Sequence, residues 1–166
     1  MNAPSSAEIR IAAATPTDVP VIHTLIRELA AFERLLDEAK ATEAQLHDAL
    51  FGKRPSAEVV VARVGADVTG FALFFHNYST FVGKPGLHLE DLYVRQQFRG
   101  HGCGEALLRY LARLAVERGC GRFEWSVLDW NQRAIDFYKS RGAQPMAEWT
   151  LFRVSGDALT RLGAES

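Results

Sequence analysis

Residues 89–104, LEDLYVRQQFRGHGCG, constrain this chain more than any other stretch. They read as a strand that carries two adjacent acids, Glu90 and Asp91, into a turn where Gly100, Gly102 and Gly104 alternate with larger residues. From Glu105 onward Leu107, Leu108, Leu111, Leu114 and Ala115 recur at helical spacing. The glycines therefore fall at a helix N-terminus, where several backbone N–H groups lack intrahelical partners. Glycine permits positive φ and close approach of a ligand to the backbone, and the helix dipole adds partial positive charge. Such a turn suits a pyrophosphate without needing a lysine.

Three anion-binding loops compete for this stretch. A P-loop needs G-x-x-x-x-G-K-[ST], and the chain has no such run. A Rossmann fingerprint is matched only in part: Gly102 and Gly104 are followed by Leu107, although Glu124 stands about 20 residues on, where a ribose-binding acid belongs. Little chain remains after Gly104 for a second mononucleotide half. The third reading is a turn for coenzyme A.

Arg99-Gly100-His101-Gly102-Cys103-Gly104 resembles the R/Q-x-x-G-x-G/A motif of the GNAT N-acetyltransferases, and Leu92-Tyr93-Val94 before it suits the same family. The N-terminal RIAAATPTDVPVIHTLIRELAAFE, the central LEDLYV and the later WNQRAIDFYKSRGA extend the resemblance over roughly residues 9 to 154, towards the diamine (spermidine/spermine) and thialysine acetyltransferase branch. The resemblance implies an α/β fold of GNAT type: a central mixed, mostly antiparallel sheet flanked by helices, with strands splayed apart at the coenzyme A site.

Composition is compatible with that expectation. The chain has 166 residues, 48% of them hydrophobic, enough for one domain, 1–166, with a substantial core. A formal net charge of −1 with dispersed basic residues gives no field for nucleic acid or an anionic membrane. No apolar run approaches the ~20 residues that span a bilayer. MNAPSSAEIR lacks the marks of a secretory signal, so a cytoplasmic location is expected. Cys103 and Cys120 lack C-x-x-C spacing, and His23, His47, His76, His88 and His101 are scattered, so neither a disulfide nor a metal site is expected.

Along the chain, residues 1–7 read as a polar, frayed end and residues 8–13 as a short strand. Thr15 with Pro16 starts a helix through Glu33, and a Thr42–Gln45 capping box starts a second one that Gly52 stops after Phe51. Strands at 57–64 and 68–78 form a hairpin around Gly65-Ala66-Asp67. A loop at 79–86 leads into the strand 87–95. After the helix 105–118 come a strand at 122–128, a helix at 131–140, a final strand at 146–154 and a polar tail. No internal repeat or linker is evident.

The chemistry sorts the remaining residues. An alkyl ammonium titrates near ~10.4, so a base has to help remove its proton before it attacks a thioester. Period-two geometry sets Glu90, Leu92 and Val94 on one face of the strand and Asp91 and Tyr93 on the other, so only one acid is expected to face the thioester. The resemblance favours Glu90 as base. It also assigns Tyr138, within N-x-x-A-x-x-F-Y-x-x-x-G, as the acid that protonates the departing sulfur. A Cys103 acyl-enzyme is the weaker alternative, since no base partner is evident for that thiol.

Acetyl-CoA is the expected donor substrate, held by Leu92, Tyr93 and Val94, by Arg99, Gly100, His101, Gly102, Cys103 and Gly104, and by Asn131, Arg133, Ala134 and Tyr138. The acceptor is expected to be a small cationic amine beside Phe32, Glu33, Ser79, Glu90 and Trp125, with Asp129 as a further acid. Ser79 stands where diamine acetyltransferases carry an acid, which points away from long polyamines and towards lysine-like amines such as thialysine. A homodimer is implied by the resemblance. A non-catalytic acetyl-CoA sensor and a protein-lysine acetyltransferase are the rival readings.

Overall fold

The computed structural model describes residues 8–164, so the N-terminal end at 1–7 lies outside the described residues. The chain forms two compact units, one ending at Ser126 and the other beginning at Val127. The first contains a five-stranded sheet in the order β1-β2-β3-β4-β5: β1 Ile9–Ala13, β2 Glu58–Val64, β3 Asp67–Ser79, β4 Lys84–Val94 and β5 Arg122–Trp125. Neighbours are antiparallel except β4 and β5, which run parallel and are joined through α3, Cys103–Glu117. A parallel pair needs such a crossover.

The helices start where the sequence signals them. Asp18 Oδ2 accepts from both the backbone N–H and the hydroxyl of Thr15 at 2.9 and 3.1 Å, closing a 3₁₀ turn, Pro16–Asp18, that feeds α1, Val19–Phe32. Before α2, Glu43–Phe51, the Thr42 hydroxyl accepts from Gln45 N–H at 3.2 Å while the Gln45 side chain accepts from Thr42 N–H at 2.9 Å. That reciprocal box satisfies two N–H groups that the helix leaves over.

These helices cover one face of the sheet. Val19, Ile22, Leu25 and Leu29 of α1 and Leu46 and Leu50 of α2 bury against Val59, Val61, Phe71 and Tyr93. The other face carries Val60, Ala62, Ala72, Phe74, Leu87 and Leu89, all buried, with Cys103, Leu107, Leu111 and Ala115 of α3 buried as well; α3 contacts all five strands. Amphipathic helices on both faces of a sheet are the way such a sheet hides its two apolar surfaces.

Four expected elements are corrected. The loop at 79–86 is mostly strand: β3 and β4 pair from Ser79–Lys84 onward, with only residues 80–83 in the turn. Pro85 is accommodated because its carbonyl faces β5, accepting from Gly121 N–H at 2.8 Å, so the missing N–H lies outside the β3–β4 ladder. The strand at 122–128 stops at Trp125. In the second unit, α4 spans Gln132–Ser140, but residues 143–155 are irregular and form no strand, and the expected polar tail holds a helix, α5, Gly156–Ala164. Alternating apolar residues make a strand only where a neighbour supplies hydrogen bonds, and here Trp149, Leu151 and Phe152 remain exposed.

Candidate active site

The glycine turn lies between β4 and α3. After a 3₁₀ turn at Gln96–Phe98, Gly100 and Gly102 adopt φ of 82° and 89°, a conformation that side chains resist. Gly102 is the N-cap of α3, and its carbonyl accepts the first intrahelical bond, from Ala106 N–H at 2.9 Å. The N–H groups of Cys103, Gly104 and Glu105 precede that bond and are available to an anion. A Cβ on Gly100 would meet nothing within 4 Å, and one on Gly102 only Ile9 Cδ1 at 3.8 Å, so the approach to the turn is open. The turn fits a pyrophosphate. The helix start expected at Glu105 is corrected: α3 begins two residues earlier, so Gly104 lies in its first turn.

Arg99 opens the turn but its side chain folds back. Its Nε donates to Val94 O at 2.7 Å, and its guanidinium carbon stands 4.5 Å from the Phe32 ring centre and 5.3 Å from that of Tyr93. Cys103 is buried, its sulfur 3.7 Å from the Thr69 hydroxyl, as a packing thiol is.

On β4 the two acids are arranged by an irregularity. Leu73 of β3 faces Asp91, yet Phe74 faces Leu89, so Glu90 is an extra residue in β4. A bulge of this kind re-aims side chains. Asp91 shares the face of Leu73, which packs on the α1–α2 core, and Phe75 with its partner His88 belongs to that face too. Glu90 Oε2 lies 3.6 Å from His88 Nε2, while the Glu90 and Glu33 charges both act on Asp91. The expectation that strict alternation lets only one acid face the site is thus overturned: Glu33, just past the end of α1, joins Glu90 and Asp91 in one acidic group.

Burial, with the charges of Glu90 and Glu33 added, pushes the Asp91 carboxyl up to about 6, and burial raises Glu33 as well. Such crowding of acids is costly unless a cation arrives. Parallel pairing of β4 with β5 covers only Gly86 to Leu89, opposite Arg122 to Trp125. Beyond Leu89 the β5 side of β4, from Glu90 to Val94, carries no paired strand among the described residues. That open edge, leading to the glycine turn, is the splay expected for the fold.

Other expected residues stand elsewhere. Ser79 pairs with Lys84 at the hairpin end, six residues from Glu90 and hence roughly 20 Å along the strand, and its hydroxyl accepts from Val82 N–H at 3.2 Å. Trp125 is the partner of Leu89, on the α3 side of the sheet, its ring 4.9 Å from that of Phe123. In the second unit Asn131 caps α4, its Oδ1 accepting from Ala134 N–H at 3.3 Å; Arg133, Ala134 and Tyr138 follow on that helix, with the Tyr138 ring 5.6 Å from Phe137.

Three residues near the site were not read from the sequence. Arg95 grips Glu28 of α1 with Nε at 3.2 Å from both carboxylate oxygens, and Tyr93 bonds to the same carboxylate, tying α1 to the end of β4. His88 is the third. A basic residue directly after the strand was the available signal for Arg95; nothing in the local pattern singles out Glu28 or His88.

Comparison with known proteins agrees with this geometry. The profile of the Acetyltransferase (GNAT) family matches residues 23–143. The chain is 38% identical to the L-ornithine N5-acetyltransferase of Arabidopsis thaliana, over 90% of this chain and 86% of that protein. It is 37% identical to the thialysine N-epsilon-acetyltransferase of Bos taurus, over 95% and 98% of the two chains. Among solved structures, an integron cassette protein from the mobile metagenome of V. cholerae superposes with a TM-score of 0.80 at 27% identity, covering 95% of this chain and 98% of that one. The fold and the turn define an acyltransferase of α/β type. The chain belongs to the GNAT acetyltransferase family and is an N-acetyltransferase.

Proposed function

We propose that this enzyme transfers the acetyl group of acetyl-CoA directly to the primary amine of a small cationic substrate. The observation that carries the reading is the bulge at Glu90, which gathers Glu33, Glu90 and Asp91 on one face at the open edge of the strand that ends in the phosphate-binding turn. Acetyl-CoA supplies an activated acyl group as a thioester. The turn from Arg99 to Gly104 holds its pyrophosphate through backbone N–H groups, and the free edge of Leu92 to Val94 receives the pantetheine amides, with Asn131, Arg133 and Ala134 as further contacts.

Glu90 removes a proton from the acceptor ammonium, and Tyr138 protonates the sulfur as the C–S bond breaks. Glu33 and Asp91 attract the cation. Ornithine and thialysine, named for the relatives, are short amines with a second charge close to the first, and an acid group of this compactness suits them better than long polyamines. Ser79, at the hairpin end, and Trp125, opposite Leu89, stand apart from this acidic group.

Both compact units are read as one N-acetyltransferase domain, because the family profile runs through the 126/127 boundary. A homodimer is supported by the exposed apolar side chains of Trp149, Leu151, Phe152 and Leu159 in the second unit, which a solvated surface does not favour. No helix among the described residues is long and apolar enough to cross a membrane, and the reading takes the cytoplasm as the site of action.

The test is release of free thiol from acetyl-CoA in the presence of ornithine, thialysine, diamines, spermine, aminoglycosides and lysine peptides. Turnover with the short amines is expected. Silence across the panel with coenzyme A binding retained makes the protein a sensor, and turnover of peptides alone makes it a protein-lysine acetyltransferase.

A further inference from the structure

Acetyl transfer from a thioester to an ammonium releases one proton overall. The C–N bond forms, the C–S bond breaks, and the nitrogen gives up two protons, one to the departing sulfur and one that has to leave the site. A base that keeps this second proton is spent after one turnover. His88 stands where such a proton can go. Its Nε2 is 3.6 Å from Glu90 Oε2, and its ring stacks on Phe75 with centroids 5.0 Å apart and planes inclined by 30°. The stack on Phe75 restrains the imidazole beside the carboxylate.

Position on the strand completes the arrangement. Glu90 is on the side of the phosphate-binding turn, whereas His88 is two residues further towards the β3–β4 hairpin, away from the reacting thioester. The charged groups nearest the imidazole on the two strands are Glu90 and Asp91 on its own strand and, on β5, its register partner Glu124 with Arg122 two residues before it. Imidazole is the side chain that accepts and releases a proton near neutral pH. The geometry points to His88 as a proton relay, which takes from Glu90 the proton removed from each amine and passes it to solvent. This inference rests on the reading of Glu90 as base.

His88→Phe keeps an aromatic ring over Phe75 and removes the proton acceptor. With acetyl-CoA and amine saturating, kcat is expected to fall about tenfold or more, less than the roughly 10²–10⁴-fold of direct acid–base assistance because the imidazole acts through Glu90. Acetyl-CoA affinity and amine KM stay within about twofold, and added imidazole restores turnover. His88→Gln serves as a second variant that keeps a polar side chain. Loss of kcat without imidazole rescue in both variants, or turnover within about twofold of the parent, overturns the relay. Glu90→Gln separates the two claims. If it turns over normally, the base reading itself fails; if it is impaired, the His88→Phe loss has to vanish in the Glu90→Gln background, and a fully additive double variant rejects the relay alone.

Discussion

The guanidinium of Arg99 lies over the ring of Phe32, 4.5 Å from its centre, so the residue that opens the phosphate turn is bound to the last residue of α1. The same guanidinium faces Tyr93, and Nε holds Val94 O. A charge engaged in this way fixes the turn against the helix that ends at Phe32.

Arg99→Ala is therefore expected to destabilise the fold by about 1–3 kcal/mol, the sum expected for partly solvated cation–π contacts and one hydrogen bond. Arg99→Lys recovers part of the charge but not the planar stacking, and falls between the two. Urea unfolding of the three proteins checks the order; a parent-like midpoint for Arg99→Ala contradicts it.

Asp91 makes stability depend on pH in a direction opposite to that of most carboxylates. Its pKa is raised from 3.8 to about 6, because burial and the charges of Glu90 and Glu33 disfavour the ionised form. The group favours folding below the unfolded value, and that contribution is lost as pH rises through the folded value. A shift of this size corresponds to roughly 2–3 kcal/mol. Asp91→Asn is thus expected to raise the melting temperature at about pH 7.5, with the gain disappearing near about pH 3.5. The same substitution weakens amine binding, as measured by KM. A parent-like melting curve at both pH values contradicts the assignment.

The turn itself is probed at Gly102, where φ is 89° and the carbonyl caps α3. Gly102→Val puts a β-branched side chain into a conformation that costs about 1–3 kcal/mol, so some stability is lost along with acetyl-CoA affinity. Gly102→Ala gives a smaller stability loss, about 1 kcal/mol. Calorimetry on the folded alanine variant is expected to give weaker coenzyme A binding; unchanged affinity in both variants removes the turn from the donor site.

The sequence exposed the parts of this structure that depend on local patterns. The Thr42–Gln45 box, the apolar stripe of α1 and the turn before α3 are each set by residues within one or two helical turns, and each is found where its pattern lies. The bulge at Glu90 was not legible, because it is a relation between the registers of β3 and β4 and leaves no mark in the composition of either strand. Residues 146–154 were misread for a related reason: alternation gives a strand two faces but does not supply a hydrogen-bonding neighbour. Among the acids, Glu90 and Asp91 could be seen as a pair, while their association with Glu33 arises only when α1 folds onto the sheet.

Tyr138 distinguishes a chemical role from a packing role. If its hydroxyl donates to the departing thiolate, Tyr138→Phe keeps the ring beside Phe137 and deletes only the hydroxyl, and kcat falls by about 10²–10⁴-fold. Acetyl-CoA affinity stays close to that of the parent, since the ring and its helix are unchanged. A tyrosine that serves only to pack α4 gives the reverse: near-normal turnover, with at most one hydrogen bond of roughly 0.5–1.5 kcal/mol lost from stability. Single-turnover acetyl transfer reads the chemical step without interference from product release. A Tyr138→Phe rate within about threefold of the parent under those conditions assigns protonation of the sulfur to water or to another group, because loss of a general acid has to exceed that margin.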